Sequence, residues 1–324
     1  MTIALILSGG TGRRLGASVP KQYIQVGGKP IFLYSIETLF HHEKIDAVQI
    51  VADASWQGFI EGWMKELDGP KKAIWGLGTD SQEAGIPKEA DSRKEAAGLK
   101  ETVCQLASPK EADGSKKVAN QEETVCREEP GSLKRAAGAK EADGPKEPGV
   151  LKRLEWRGKF RGFTAPGETR QLSIRNGLED ISSYAGEEDY VFIHDAARPL
   201  LPPDLITRCV EGVLGHDGLM PVLPMKDTIY SSLDRGRSVT ALLDRRTLYA
   251  GQAPEIFRFG RYLEANRNLL PDQIRQINGS TEPAILSGMD VVMIPGEEGN
   301  FKITTEADLE RFRRIVEGKV TAEE

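Results

Sequence analysis

Cysteine is scarce. Three residues in 324, Cys104, Cys126 and Cys209, give neither a disulfide framework nor a metal-ligand spacing. Long apolar runs are missing too. The N-terminal stretch is apolar only from Ile3 to Leu7, lacks a basic flank and falls short of a signal-peptide core. Nowhere does the chain approach the ~18 consecutive apolar residues of a membrane-spanning helix. An excess of positive charge is also absent. With 43 Lys and Arg against 49 Asp and Glu, the net charge is −6, which speaks against nucleic acid or an anionic membrane surface as a partner. These absences point to a cytoplasmic protein. Its 39% of hydrophobic residues is enough for a sizeable core.

Large apolar residues are unevenly spread, and from about Pro70 to Glu155 they become rare. Lys, Glu, Ala, Gly, Asp and Pro take over, and the segment repeats itself. Pro87-Lys-Glu-Ala-Asp91 recurs at Pro109–Asp113 and Glu101-Thr-Val-Cys104 at Glu123–Cys126, both 22 residues on, while Lys140-Glu-Ala-Asp143 is out of that phase. A fixed period can signal a solenoid, but each unit has too few apolar residues to stack on a neighbour. Such composition does not bury enough surface to offset the entropy of ordering. Residues 70–155 therefore read as a disordered or weakly helical insertion, and residues 1–69 with 156–324 as one α/β domain of ordinary size.

In those flanking parts, Thr2–Leu7 is a short apolar run ending in glycines, the pattern of a buried parallel strand entering a loop. Ala47–Val51, Tyr190–Ile193 and Met289–Ile294 are further strands. Ile31–Phe40, Ser173–Ile181 and the amphipathic Glu306–Val316 read as helices. Strands alternating with helices predict a doubly wound, mainly parallel sheet covered on both faces. Ligands of such sheets bind beyond the carboxyl ends of the strands. Between Asp227 and Phe257, apolar and β-branched residues flank Asp234-Arg-Gly-Arg237, the pattern of a hairpin with glycine in its turn.

The first strand opens into Leu7-Ser-Gly-Gly-Thr-Gly-Arg-Arg-Leu-Gly16. Ser8, Gly9, Gly10 and Gly12 let the backbone approach a phosphate and turn its N–H groups inward. No Gly-Lys-Ser/Thr follows, so this is not a P-loop. Leu15 stands where the dinucleotide fingerprint needs its third glycine, which disfavours a dinucleotide oxidoreductase. Arg13, Arg14 and Lys21 place fixed cations near the loop, an arrangement suited to a triphosphate that loses pyrophosphate. A plain strand–helix turn with solvated basic residues is the alternative.

Five stretches together resemble the 2-C-methyl-D-erythritol 4-phosphate cytidylyltransferase family and the related pentitol-phosphate cytidylyltransferases: Leu7–Leu15 with Pro20-Lys-Gln-Tyr23, Gly167-Glu-Thr-Arg170 with Ser173, His194-Asp-Ala-Ala-Arg-Pro199, Asp244-Arg245, and Asn300-Phe-Lys-Ile-Thr-Thr305. They occur in the family's order and span nearly all of the non-repetitive chain. The resemblance implies a nucleotidyltransferase domain with a projecting β-arm that reaches a second subunit, hence a homodimer. It also implies transfer of CMP from CTP to 2-C-methyl-D-erythritol 4-phosphate in isoprenoid precursor synthesis. The 70–155 insertion is foreign to the family pattern.

By the same resemblance Arg14 and Lys21 are catalytic, stabilising the crowded negative charge of the transition state. Asp195 is the magnesium ligand, a hard carboxylate suited to an ion that keeps waters and bridges phosphates. Gly167, Glu168 and Ser173 meet the cytosine ring, although Ser173 could equally cap a helix. Thr228, Arg245 and Lys302 hold the polyol phosphate, although Lys302 could also be a solvated strand-end lysine. His194 reads as structural, because an ionised phosphate nucleophile needs no base. One departure concerns the acceptor. Family members that make CDP-methylerythritol commonly carry a Thr-Asp pair before the penultimate strand, where this chain has Asn278-Gly-Ser-Thr-Glu-Pro283, with Glu282 displaced. A ribitol 5-phosphate or similar pentitol-phosphate acceptor is therefore the alternative substrate. A non-catalytic nucleotide-binding scaffold is the alternative of another class.

Overall fold

The computed structural model describes residues 1–10, 19–67 and 156–319. Gly12, Arg13, Arg14 and the 70–155 insertion lie outside the described residues. The described residues fall within one compact unit, Met1–Pro87 with Lys152–Glu324.

Its elements run β1 (Thr2–Leu7), β2 (Gln25–Val26), β3 (Lys29–Pro30), α1 (Ile31–His41), β4 (Ala47–Val51) and α2 (Ala54–Glu66). After residue 155 come α3 (Trp156–Lys159), β5 (Phe160–Thr164), α4 (Arg170–Ile181), β6 (Tyr190–Asp195), α5 (Pro203–Gly212) and β7 (Gly218–Pro224). The rest is β8 (Ile229–Ser231), β9 (Ala241–Leu243), β10 (Tyr249–Gly251), β11 (Glu255–Arg258), α6 (Phe259–Arg267), α7 (Glu282–Leu286), β12 (Val291–Pro295) and α8 (Glu306–Val316).

β1 pairs in parallel with β4 and β6, and β4 in parallel with β5. β11 turns back antiparallel between β6 and β7, β10 lies antiparallel on β7, and β12 runs parallel to β7. The expected mainly parallel sheet is thus present, with β10 and β11 running against it. Successive side chains of a strand point to opposite faces, and β1 shows why its run is apolar throughout. Ala4 and Ile6 pack with α1, α2 and α5, whereas Ile3 and Leu5 pack with α4 and α6. Helices on both faces make the sheet doubly wound.

The helices have local reasons to start where they do. α4 begins at Arg170, three residues before the start expected from periodicity, because the Thr169 side chain accepts from Leu172 N at 3.2 Å. α8 has a capping box, with Thr305 and Asp308 each bonding the other's backbone N–H. Its Leu309 and Phe312 pack with Val26, Ile31 and Ile303, which fixes the preceding 300–305 segment near the first loop. The final strand starts at Val291 rather than Met289.

β8 and β9 pair antiparallel as a separate two-stranded ribbon. The turn puts Arg235 and Gly236 at φ +60° and +83°, and Asp234 Oδ1 gathers Ser232 Oγ and the N–H groups of Arg237 and Ser238. Among the described residues, no helix is long and apolar enough to cross a membrane.

Candidate active site

β1 and β6 end side by side, with Leu7 in register with Asp195. The chain just beyond β1 is held from beneath. Gln22 Nε2 donates to Ser8 O and Gly10 O, both at 2.7 Å, and Tyr23 Oη donates to Ser8 O at 2.8 Å. Tyr23 in turn stacks on Trp56, with ring centroids 4.3 Å apart. The backbone at Gly9 comes close to residues 165–167, since a Cβ there would lie 2.6 Å from Pro166 Cβ. Lys21 Nζ donates to Ile303 O at 2.6 Å, so the first loop and the segment carrying Lys302 meet.

Asp195 is the centre of charge. Its side chain is 10% exposed, and Lys302 Nζ reaches Oδ2 at 2.8 Å while Arg170 Nε reaches Oδ1 at 3.2 Å. Burial alone would raise its pKa, but the cations Arg170, Lys302 and Arg198 outweigh burial and hold the carboxylate well below its usual range. Its neighbour His194 is fully buried. Nε2 faces Arg198 O at 3.1 Å, so that nitrogen carries the proton, and burial pushes the pKa down to about 4. The ring is neutral and enclosed, as its structural reading requires.

A second carboxylate enters from β11. Glu255 is 8% exposed, accepts from Ser280 Oγ, lies 3.5 Å from Thr281 Oγ1, and faces Arg170 Nη2 at 3.9 Å. Burial pushes its pKa up, Arg170 pulls it back, the Asp195 charge raises it again, Arg198 and Thr281 lower it, and the balance is about 7. Of Glu255 and Glu282, Glu255 on β11 is the one that faces Arg170. Glu282 instead accepts from Asn278 N at 2.8 Å and closes its own turn.

The remaining sequence candidates divide. Ser173 lies inside the first turn of α4 and does not cap it. Its Oγ accepts from Gly167 N at 3.0 Å and donates to Thr169 O at 2.9 Å, shaping the Gly167 turn. A Cβ on Gly167 would lie 2.5 Å from Leu172 Cβ, so the turn requires glycine. Glu168 is exposed and ion-paired with Arg275. Thr228 and Arg245 come together on the arm, in a groove lined also by Leu242, Leu243 and Asp244, none of which belongs to the Asp195 cluster. Arg245 Nη1 donates to Lys226 O at 2.7 Å.

The family model described as IspD, 2-C-methyl-D-erythritol 4-phosphate cytidylyltransferase, matches residues 2–71 and 161–318. The chain belongs to this family. The bifunctional enzyme IspD/IspF of Granulibacter bethesdensis is 37% identical over 148 residues, 45% of this chain and 36% of that one. The enzyme of the same name from Rhodospirillum rubrum is 37% identical over 150 residues, 46% of this chain and 37% of that one. The chain thus spans little more than a third of the length of these curated relatives. Among solved structures, the 4-diphosphocytidyl-2C-methyl-D-erythritol synthase of Anaerococcus prevotii DSM 20548 aligns with a TM-score of 0.60 at 16% identity, covering 98% of this chain and 96% of that one. The 2-C-methyl-D-erythritol 4-phosphate cytidylyltransferase of Francisella tularensis aligns with a TM-score of 0.57 at 16% identity, covering 96% and 97%. At these identities the likeness establishes the doubly wound fold.

Within this candidate site of an IspD-family chain, sequence reasoning missed Gln22, Arg170, Arg198 and Glu255. The first three sit inside the motif stretches Pro20–Tyr23, Gly167–Arg170 and His194–Pro199, beside the residues that the motifs bring forward. Glu255 had only the segment Gln252-Ala-Pro-Glu255 to announce it. As for metal, the described residues contain no group of three or more His, Cys, Asp or Glu able to cage an ion. One ionised carboxylate at the end of β6 nevertheless fits magnesium, which binds through one or two carboxylates together with substrate phosphates.

Proposed function

We propose that this chain transfers CMP from CTP to 2-C-methyl-D-erythritol 4-phosphate, releasing pyrophosphate. The observation that carries the reading is the convergence of Lys21, Asp195, Lys302 and Arg170 beside the Ser8–Gly10 loop in a chain of this family. In the reaction an acceptor phosphate oxygen bonds to the α-phosphorus of CTP, and the bond from that phosphorus to the oxygen bridging the β-phosphate breaks. The nucleophile is already ionised, so no base is needed, consistent with the enclosed, neutral His194. Such centres need positioning and charge neutralisation. Lys21 supplies positive charge, and Arg14, in the glycine-rich stretch of the sequence, is assigned the same part. Gly167 offers its carbonyl to the base, with Ser173 holding that turn through the Gly167 N–H. Asp195 would hold the magnesium ion, which on binding adds neutralising charge to the triphosphate.

Lys302, Thr228 and Arg245 are the acceptor-binding set of this reading. Because the last two lie on the arm, the reading includes a homodimer in which one subunit's arm completes its partner's site. A soluble, cytoplasmic setting belongs to the same proposal. The departure at residues 278–282 favours testing a pentitol phosphate beside methylerythritol phosphate. Incubation with CTP and each acceptor, following pyrophosphate, decides. Release with 2-C-methyl-D-erythritol 4-phosphate is expected. Release only with ribitol 5-phosphate would move the assignment to the related activity, and CTP binding without turnover on either would leave a nucleotide-binding scaffold. Asp195→Asn, which keeps the shape and removes the charge, is expected to lose turnover while staying folded, since Lys302 and Arg170 are each 34% exposed and can turn to water. Full activity in excess chelator would rule out the magnesium role.

A further inference from the structure

Two carboxylates, not one, share the cations of this site, and the second has no part in the chemistry above. In the antiparallel pairing of β11 with β6, Glu255 stands opposite Ile193. Ile193 and Asp195 are two positions apart on β6, and residues so spaced point to the same face, so Glu255 and Asp195 project into one space. Arg170 bridges them, with Nε on Asp195 Oδ1 at 3.2 Å and Nη2 towards Glu255 Oε2 at 3.9 Å. Glu255 is fixed from behind by Ser280 Oγ and Thr281 Oγ1. Burying a carboxylate costs several kcal/mol unless it is paired, so an isolated structural acid in this position would be a poor choice. The contacts instead make it a counterweight, drawing Arg170 away from Asp195.

We propose that Glu255 is a positioning residue that sets the affinity of Asp195 for a divalent cation by sharing Arg170. The inference rests on the magnesium role given to Asp195 above. Two effects act in the same direction when the Glu255 charge is lost. Arg170 then pairs with Asp195 alone and competes with the cation for its oxygens. The local balance, with Asp195 and Glu255 set against Arg170, Arg198 and Lys302, also becomes more positive, which repels any cation. Partners one step removed from a metal ligand typically alter affinity by about 10-fold or more.

The test uses the full chain with CTP at pH 8, above the value of about 7 to which burial raises Glu255. Glu255→Gln keeps the volume and an oxygen to accept from Ser280 while removing the charge. Free manganese, counted by its electron paramagnetic resonance signal, reports binding without turnover. The variant is expected to bind manganese about 10-fold more weakly than wild type, and to need correspondingly more magnesium for half-maximal pyrophosphate release. At saturating magnesium its kcat should return to within about twofold of wild type, since no reacting atom is touched. Ser280→Ala, which only loosens Glu255, should shift both readouts the same way by less, and it serves if the first variant does not fold. Unchanged manganese affinity in either folded variant overturns the proposal. So does a kcat that stays low at saturating metal, because that would put Glu255 in direct contact with substrate. If wild type binds manganese and CTP but releases no pyrophosphate with either acceptor, the proposed transferase reaction falls, while the manganese titration still judges Glu255.

Discussion

A buried carboxylate between two cations can stabilise a fold or await a ligand, and energetics help tell the cases apart. A buried ion pair contributes little net stability, because the desolvation cost of both charges offsets their attraction. Lys302 and Arg170 are a third exposed while Asp195 is enclosed, so the cations are free to swing towards incoming phosphates and the acid is not. Lys21 is built differently, with its amine resting on Ile303 O. Removing that bond costs about 1 kcal/mol of stability, whereas removing a preorganised cation from a transition state costs about 10²-fold in rate. Lys21→Ala should therefore fold and melt close to wild type, yet turn over about 10²-fold more slowly at saturating CTP and acceptor. Arg14→Ala should do the same. Steady-state kinetics beside a thermal melt would check both, and near wild-type kcat in either would remove it from the catalytic set. Lys21, Asp195 and Lys302 were legible in the sequence because each lies in a short run with a recognisable neighbourhood. Glu255 was not, because its meaning comes from the register of β11 on β6, and no local pattern encodes which residue of one strand faces which of another.

At the scale of elements, the most readable parts were those with one physical cause. β1 had to be apolar from Ile3 to Leu7 because both of its faces are covered. α8 carries both its cap and its amphipathic face in the twelve residues from Thr305 to Val316. By contrast, α2 and the reversal of β11 gave no clear signal, the first because only Ile60 and Met64 are fully buried along its length, the second because direction is a property of the whole sheet. α4 shows how an element serves the site. It presents Arg170 and the Gly167 turn, and it can lie against β1 because Gly177 has no side chain. A Cβ there would meet Leu5 Cδ1 at 2.5 Å, and Leu5 is fully buried. Gly177→Ala would gain about 1 kcal/mol in helix propensity but overpack a closed core, at about 1–3 kcal/mol. The clash should win. A fall in Tm of a few degrees is expected for a domain of this size, at roughly 2–4 °C per kcal/mol. A raised Tm would mean that Leu5 yields and that the spacing of α4 from β1 is not set by this glycine.

For the whole molecule the arm is the telling feature. Tyr230 and Leu242 on a two-stranded ribbon of three residues a side, and Leu233 and Val239 in the connection between its strands, are all exposed, Leu233 at 89%. A ribbon that short is marginal in water without a surface to bury one face. Its groove holds Thr228 and Arg245 but no member of the Asp195 cluster. Both facts follow if the arm packs on a twin subunit and delivers Arg245 to the partner's site, in a two-fold dimer where each surface is used twice. The alternative is a site made within one chain, with Arg245 tied to its own Lys226 carbonyl as it is here. Complementation separates the two. Arg245→Ala subunits and Lys21→Ala subunits, each with only residual activity alone, are mixed under conditions that allow exchange. In a mixed dimer with shared sites, the intact Lys21 of the first subunit meets the intact Arg245 of the second. One of the two sites is then wild type and the other carries both substitutions. Random exchange makes about half of the dimers mixed, so activity should return to about a quarter of the wild-type value. If mixed dimers form, as mass spectrometry of differently tagged subunits would show, and no activity returns, each site is built from a single chain and the arm serves assembly alone.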